Sequence, residues 1–317
     1  MSTFLISYFR VALALFVIAG SALAQNFQPG DVVFASFVPS NATGFLPGFI
    51  DWYGADGSPR QRIASYSNDP AFALVFGSDS RLYATRVSEL TSNINVFDIT
   101  GGFAGNFGPH LDLARGIVRD RDGNFFVSGF NLYKLNPAGN LVGTFTNVRE
   151  SMIDLASDQC TLYLVSQGTA VQRYDVCRNA SLPDLTASLP GSTAHDLRIL
   201  PDSSVLIADE EVIARVAANG TIMQTYSPAG LGGWRAVALA LDGRSFWAAA
   251  VDVGLFHIRL SDGAVLTGPI PAVWTTSIGI VGEPRAAITP MAVPTLSSVA
   301  LGALLLALAA VSLMRLQ

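Results

Sequence analysis

The chain repeats itself, and that repetition limits its fold more than any local signal does. A unit of about 40 residues recurs through the middle of the sequence. Its clearest copy is RGIVRDRDGNFFVSGFNLYKLNPAGNLVGTF, from Arg115 to Phe145. A second, HDLRILPDSSVLIADEEVIARVAANGTIMQTY, runs from His195 to Tyr226, and a third, RAVALALDGRSFWAAAVDVGLFHIRLSDGAVLTG, from Arg235 to Gly268. Two looser copies begin at Phe72 and at Ser151.

Each copy reads as four short strands. In the clearest one an apolar strand, Gly116–Val118, leads into a turn at Asp122-Gly123. Asp202-Ser203 and Asp242-Gly243 stand at the same place in the other two. Phe125–Ser128 is the second strand, a turn at Asn136–Gly139 ends the third, and Leu141–Phe145 is the fourth. Asp-Gly and Asn-Gly turns between short β-runs are hairpin signals, because Gly and Asn accept a positive φ. Four antiparallel strands per unit at this period predict the blades of an all-β propeller.

The ends of the repeat complete a ring. Residues 31–36, 49–53 and 61–65 supply three strands before the first full copy, and 277–281 supplies one after the last. Joined, they make a sixth blade and remove the open edge. The expectation is therefore a six-bladed β-propeller with a composite closing blade. A seven-bladed ring would need a further blade hidden among loops. By this pattern residues 30–284 resemble the NHL-like and gluconolactonase-like six-bladed propellers, a resemblance of architecture that says little about function.

Both ends of the chain carry addresses. Arg10, the apolar run Val11–Ala19 and Ala22-Leu23-Ala24 form a secretory signal pattern, so signal peptidase would leave a mature start near Gln25. Leu296–Met314 carries no charge and Arg315 follows it. That length suits the ~20 residues of a membrane-crossing helix, with Arg315 on the cytoplasmic side. Val293-Pro294-Thr295-Leu296, the apolar run and the terminal Arg315 together resemble the IPTL-CTERM sorting signal of bacterial exosortase substrates. Val293 stands where that family has Ile, and Ser298-Val299 where it has Trp-Gly. The resemblance implies an exosortase-type transpeptidase as processing partner. The organisation expected is a signal peptide at 1–24, a propeller at 25–284, a linker with the sorting motif at 285–295 and a transmembrane helix at 296–314.

Two cysteines, Cys160 and Cys177, fall in one blade. A two-residue loop at Gly168-Thr169 sets Gln167 opposite Ala170 and Cys160 opposite Cys177. Such a non-hydrogen-bonded pair has Cα atoms ~4.5 Å apart, within disulfide reach. An exported chain permits the bond, and no C-x-x-C suggests redox chemistry.

Chemistry is sparse. The chain has 3 His, a net charge of −5 and no basic run, so nucleic acid is not a partner. No H-E-x-x-H, G-x-S-x-G or phosphate-binding glycine loop occurs, and no metal or cofactor site is expected. Superposing the repeats places Phe72, Arg115, Ser151, His195 and Arg235 at equivalent starts of the innermost strands, around one mouth of the channel. Arg115, His195, Asp196 and Arg235 are the candidate ligand-binding residues. Two Arg and a His there could receive an anionic group such as a carboxylate or uronate, or they cap blades. Gluconolactonase-type propellers hold a divalent metal with acids at this place, and this chain does not have them. The function expected is a non-enzymatic binding or scaffold module, displayed on the bacterial cell envelope through its C-terminus or released from it after sorting cleavage, with a glycan, matrix component or protein as ligand. The alternative is an envelope hydrolase or lyase using His195 and Asp196.

Overall fold

The structure is a computed structural model that describes residues 25–285 except 40–46, 88–91, 147, 149–150, 167 and 187. The described strands form six four-stranded antiparallel sheets. The chain opens with β1 (Val32–Phe37), β2 (Gly48–Tyr53) and β3 (Pro59–Tyr66). The second blade holds β4 (Ala71–Phe76), β5 (Leu82–Arg86), β6 (Ile94–Phe97) and β7 (Phe103–Phe107), and the third β8 (Ile117–Arg119), β9 (Phe125–Ser128), β10 (Leu132–Leu135) and β11 (Leu141–Phe145). The fourth holds β12 (Met152–Leu155), β13 (Thr161–Val165), β14 (Val171–Asp175) and β15 (Ala180–Thr186). The fifth holds β16 (Ala194–Ile199), β17 (Val205–Asp209), β18 (Ile213–Val216) and β19 (Ile222–Tyr226). The sixth holds β20 (Trp234–Leu239), β21 (Ser245–Ala250), β22 (Gly254–Arg259) and β23 (Val265–Ile270), and β24 (Thr275–Ile280) follows.

The ring closes as the repeat predicts. β24 pairs antiparallel with β1, Val32 against Ile280 and Phe34 against Ile278, so the sheet order is β24-β1-β2-β3. The last of the described strands is thus the innermost strand of the first blade. The inner strands β4, β8, β12, β16, β20 and β24 each neighbour the next around the axis. A side-chain bond adds to the closure: Leu74 N donates to Ser277 Oγ at 3.2 Å, tying β4 to β24.

The hydrophobic core lies between blades rather than on the axis. Each of the buried apolar clusters joins two neighbouring sheets: Trp234 and Phe246 with Leu206, Phe126 and Leu132 with Leu162, Trp52 and Ile50 with Leu82. Second strands such as β9 and β17 are buried along their whole length, while outer strands such as β7 and β11 are largely exposed. This division leaves the axis as a channel whose two ends are lined by both polar and apolar residues of the inner strands.

The turns explain why the repeat is visible in the sequence. In four of the inner hairpins an Asp accepts the backbone N–H two residues on: Asp79 from Arg81, Asp158 from Cys160, Asp202 from Ser204 and Asp242 from Arg244; in the third blade Asp120 accepts from Asn124 N instead. The residue after the Asp takes a positive φ, 84° at Gly123 and 66° at Ser203. The Asp side chain fixes the turn, so Ser and Gln can stand where Gly would be expected.

The disulfide joins Cys160 to Cys177, with Cα atoms 5.2 Å apart. Its register differs from the expectation. Thr161 faces Asp175, so Cys160 faces Val176, whose N–H donates to the Cys160 carbonyl at 2.8 Å. The cysteines are diagonal neighbours in the two turns that Asp158 and Asp175 hold. The connection between β13 and β14 runs over residues 166–170 rather than two, and a change of loop length shifts the register. Gln167, on which the short loop was built, lies outside the described residues. So do the signal segment, Val293-Pro294-Thr295-Leu296 and the apolar run 296–314. Among the described residues no helix is long and apolar enough to cross a membrane.

Candidate functional site

The inner strands run parallel, so their starts gather at one end of the channel and their ends at the other. Phe72, Arg115, Ser151, His195 and Arg235 all line one cavity of about 230 Å³ at the starting end. The sequence superposition brought together the same five. Each stands seven positions before its blade's turn Asp, as Arg115 does before Asp122 and His195 before Asp202. The closing blade contributes Thr275, Thr276 and Trp274, and Phe37 completes the aromatic wall.

The side chains of this mouth are held in place. Arg235 stacks over the Trp274 ring at 4.9 Å and Arg115 over Phe72 at 5.4 Å. Trp274 in turn packs on Phe37, with ring centroids 5.6 Å apart. Arg235 lies 3.3 Å from the Glu210 carboxylate, and its buried Nε has no partner. His195 Nε2 is 2.5 Å from Glu210 and its Nδ1 is 3.1 Å from Arg235 Nη1. A guanidinium can only donate, so Nδ1 accepts and Nε2–H donates to Glu210. Burial pushes the His195 pKa below the ordinary histidine value, against the pull of Glu210 and with the help of Arg235. The imidazole is therefore neutral near pH 7, and both of its nitrogens are engaged.

Asp196 does not belong to the mouth. Strand alternation turns it away from His195 and into the interface with the sixth blade, where it is fully buried. It accepts from Leu197 N at 2.9 Å, Val237 N at 3.1 Å and Arg198 Nη1 at 3.0 Å. Burial raises its pKa, opposed by Arg198. Arg198 also donates to the Ile278 carbonyl at 3.1 Å and lies 3.5 Å from Glu283. Burial acts against its charge, but Asp196 and Glu283 hold the Arg198 pKa above the usual value. This buried network spans the fifth, sixth and closing blades.

The far end of the channel is a second cavity, of about 130 Å³, lined by Arg119, Asp154, Arg198, Glu283 and Arg285 among others. Asp154 caps Ile199 N at 2.7 Å and Glu283 caps Leu239 N at 2.7 Å. Burial raises the Glu283 pKa to about 7. These acids serve backbone groups of neighbouring blades.

Sequence reasoning missed Glu210, Trp274, Phe37 and Thr276. Glu210 follows Asp209, the last residue of β17, in the connection to β18, which lies at the end where inner strands begin. Thr276 stands seven positions before Glu283, which takes the place of the turn Asp in the closing blade. His257 stacks on Trp247, with rings 7° from parallel and centroids 4.6 Å apart, and meets Ser245 Oγ at 2.7 Å, a packing role away from the mouth.

The architecture is shared with solved structures. This chain is similar in fold to a chain of a nidogen/laminin complex. The two are 14% identical with a TM-score of 0.62, over 80% of this chain and 100% of that one. A protein of unknown function from Bacteroides caccae is also similar, at 14% identity and a TM-score of 0.55, over 81% of this chain and 100% of its own. At such identities the likeness speaks for the fold alone. No family model matches the sequence, and no curated protein does.

Proposed function

We propose that this protein is an exported binding module, held at the cell envelope by its C-terminal segment, that takes a ligand at the mouth of its propeller channel. The observation that carries the reading is the mouth itself. Arg115, Arg235, Phe72, Trp274 and Phe37 surround one cavity, and each guanidinium is backed by an aromatic ring. Preformed concave sites with a few placed polar groups are where ligands bind. The disulfide fits an oxidising compartment, in keeping with the signal pattern at 1–24 and the apolar run at 296–314.

The hydrolase or lyase reading has less behind it. It needs His195 and Asp196 to act together, and Asp196 is buried against Arg198, away from the cavity. The two His195 nitrogens hold Glu210 and Arg235, so proton transfer with a substrate would first have to break one of these contacts. The test is binding of the full-length chain to fractionated envelope glycans and matrix proteins, beside an Arg115→Ala/Arg235→Ala variant checked for an unchanged melting profile. Saturable binding lost in the variant is the expected result. Equal binding by the variant would move the interaction off the mouth.

A further inference from the structure

We infer that the far end of the channel holds a phosphoryl oxyanion between Arg119 and Arg285. The site is separate from the mouth and uses none of its residues.

The two guanidiniums meet there without an acid of their own. Arg119 ends β8, and Arg285 follows the closing strand β24. Both line the cavity of about 130 Å³. Arg285 Nη1 donates to the Arg119 carbonyl, which brings the second guanidinium to the end of β8. The buried Nε of Arg119 has no hydrogen-bond partner, and neither guanidinium forms an ion pair among the described residues. Each guanidinium carries five N–H donors, and the Arg119 carbonyl is the one acceptor that the described residues offer this pair.

The acids nearby are engaged elsewhere. Asp79 accepts from Tyr83 Oη and faces Arg81, and Asp120 holds Asn124 and Lys134. Asp154 caps Leu155 N and Ile199 N, and Glu283 caps Leu239 N beside Arg198. Burial, and after it the charge of Arg285, push the Arg119 pKa below the ordinary guanidinium value, against the pull of Asp120 and Asp79. The positive charge of Arg119 is thus under-compensated, and an anion set between the two guanidiniums would compensate it.

The repeat shows where that anion belongs. Arg119 stands four positions after Arg115, as Ile199 does after His195. In the fifth blade the protein supplies its own oxygen at this level: Asp154, from the fourth, reaches Ile199 N at 2.7 Å. The second blade bears the same relation to the third. Asp154 stands three positions after Ser151, and the residue three after Phe72 is Val75, which has no side-chain oxygen. An outside oxyanion would fill the place that a carboxylate takes in the next pair of blades.

Phosphoryl chemistry follows from the two directions of approach. A carboxylate has two oxygens, enough for one guanidinium fork. A phosphoryl group has three, pointing apart, so two forks can grip it at once. A cavity of about 130 Å³ lies well below the ~300–1,000 Å³ of sites for drug-sized ligands, which suits a small anion or the phosphate of a molecule whose remainder lies outside.

The experiment titrates the full-length chain, in neutral detergent micelles, with inorganic phosphate and with acetate by calorimetry. Saturable phosphate binding is expected, with acetate weaker by about tenfold or more. Arg119→Gln and Arg285→Gln should each weaken phosphate by about tenfold to hundredfold, the usual cost of losing hydrogen bonds to a charged group. Arg285 is exposed, so its variant keeps the test alive if Arg119→Gln does not fold. Repeating the titration in micelles that contain phosphatidic acid separates two sources of the same chemistry. Phosphate displaced by the lipid supports the site with a lipid headgroup in it; phosphate undisturbed supports the site with a free phosphoryl ligand. No phosphate binding, or binding unchanged in both variants, would overturn the site. So would binding that is lost in Arg115→Ala/Arg235→Ala and kept in Arg285→Gln, which would move the anion to the mouth. Acetate binding as tightly as phosphate would overturn the phosphoryl assignment.

Discussion

Replacing Asp196 by Ala should weaken the fold severely and leave the mouth unchanged. The carboxylate is fully buried and accepts hydrogen bonds from Arg198, Leu197 N and Val237 N. Removing one partner of a buried ion pair costs about 3–5 kcal/mol, because the other charge stays behind uncompensated. Arg198 would keep Glu283 at 3.5 Å and the carbonyls of Leu197 and Ile278, which favours the lower part of that range. Val237 N would lose its acceptor inside the interface, which restores ~1–3 kcal/mol of the cost. For a domain of this size, each kcal/mol moves the melting temperature by roughly 2–4 °C, so a fall of roughly 6–20 °C is expected. Calorimetry and guanidinium unfolding with an unchanged m-value would measure it. Asp196→Leu/Arg198→Met, which removes both charges, should recover much of the loss. A cost under about 1 kcal/mol would refute the account of the network. So would a folded Asp196→Ala protein whose ligand binding is lost.

Three further outcomes follow from the same structure. Cys160→Ser/Cys177→Ser should lose about 3 kcal/mol for a loop of this length, given a sequence separation of 17; reductant should lower the melting temperature of the parent but not of the variant. Glu283 has a folded pKa raised to about 7, so its stabilisation is complete below its unfolded value and fades as pH rises to about 7; Glu283→Gln should flatten the stability profile between about pH 4.5 and 7, and an identical slope in both proteins would contradict the assignment. A chain ended before Thr275 lacks the inner strand of the closing blade and should show no cooperative unfolding by circular dichroism; a sharp transition would mean that the ring holds without its latch.

The architecture was legible because one Asp turn recurs in the inner hairpins. Local side-chain-to-backbone bonds such as Asp242 to Arg244 N mark the strand ends in sequence, and counting from them gave the six blades and the composite closure. The same count aligned Phe72, Arg115, Ser151, His195 and Arg235. It did not give Asp196 its place, since whether a residue beside a channel position faces the axis or the next blade depends on strand alternation through the bulge between Ala194 and Asp196. Nor did it give the cysteine register, which depends on a loop length that residue types in 166–170 leave open. Glu210 and Trp274 come from connections rather than inner strands, and connections carry little of the repeat. The side-chain pairing at the mouth is long-range, as with Arg235 and His195, and no local pattern encodes it.

The closing blade also sets how the protein would answer to force. β24 runs along the channel from the mouth to the far end, and the chain continues past Glu283 and Arg285 there. A pull beyond Arg285, directed away from that end, would draw β24 along its own length. Its ladder with β1 would then be loaded in shear, all bonds together, rather than unzipped one at a time. The crosslinks from Thr276 Oγ1 to the Ala71 carbonyl, from Leu74 N to Ser277 Oγ and from Arg198 to the Ile278 carbonyl would share that load with the second and fifth blades. A molecule tethered at that end would hold the mouth lined by Arg115 and Arg235 outward and meet drag with β24 loaded along its length.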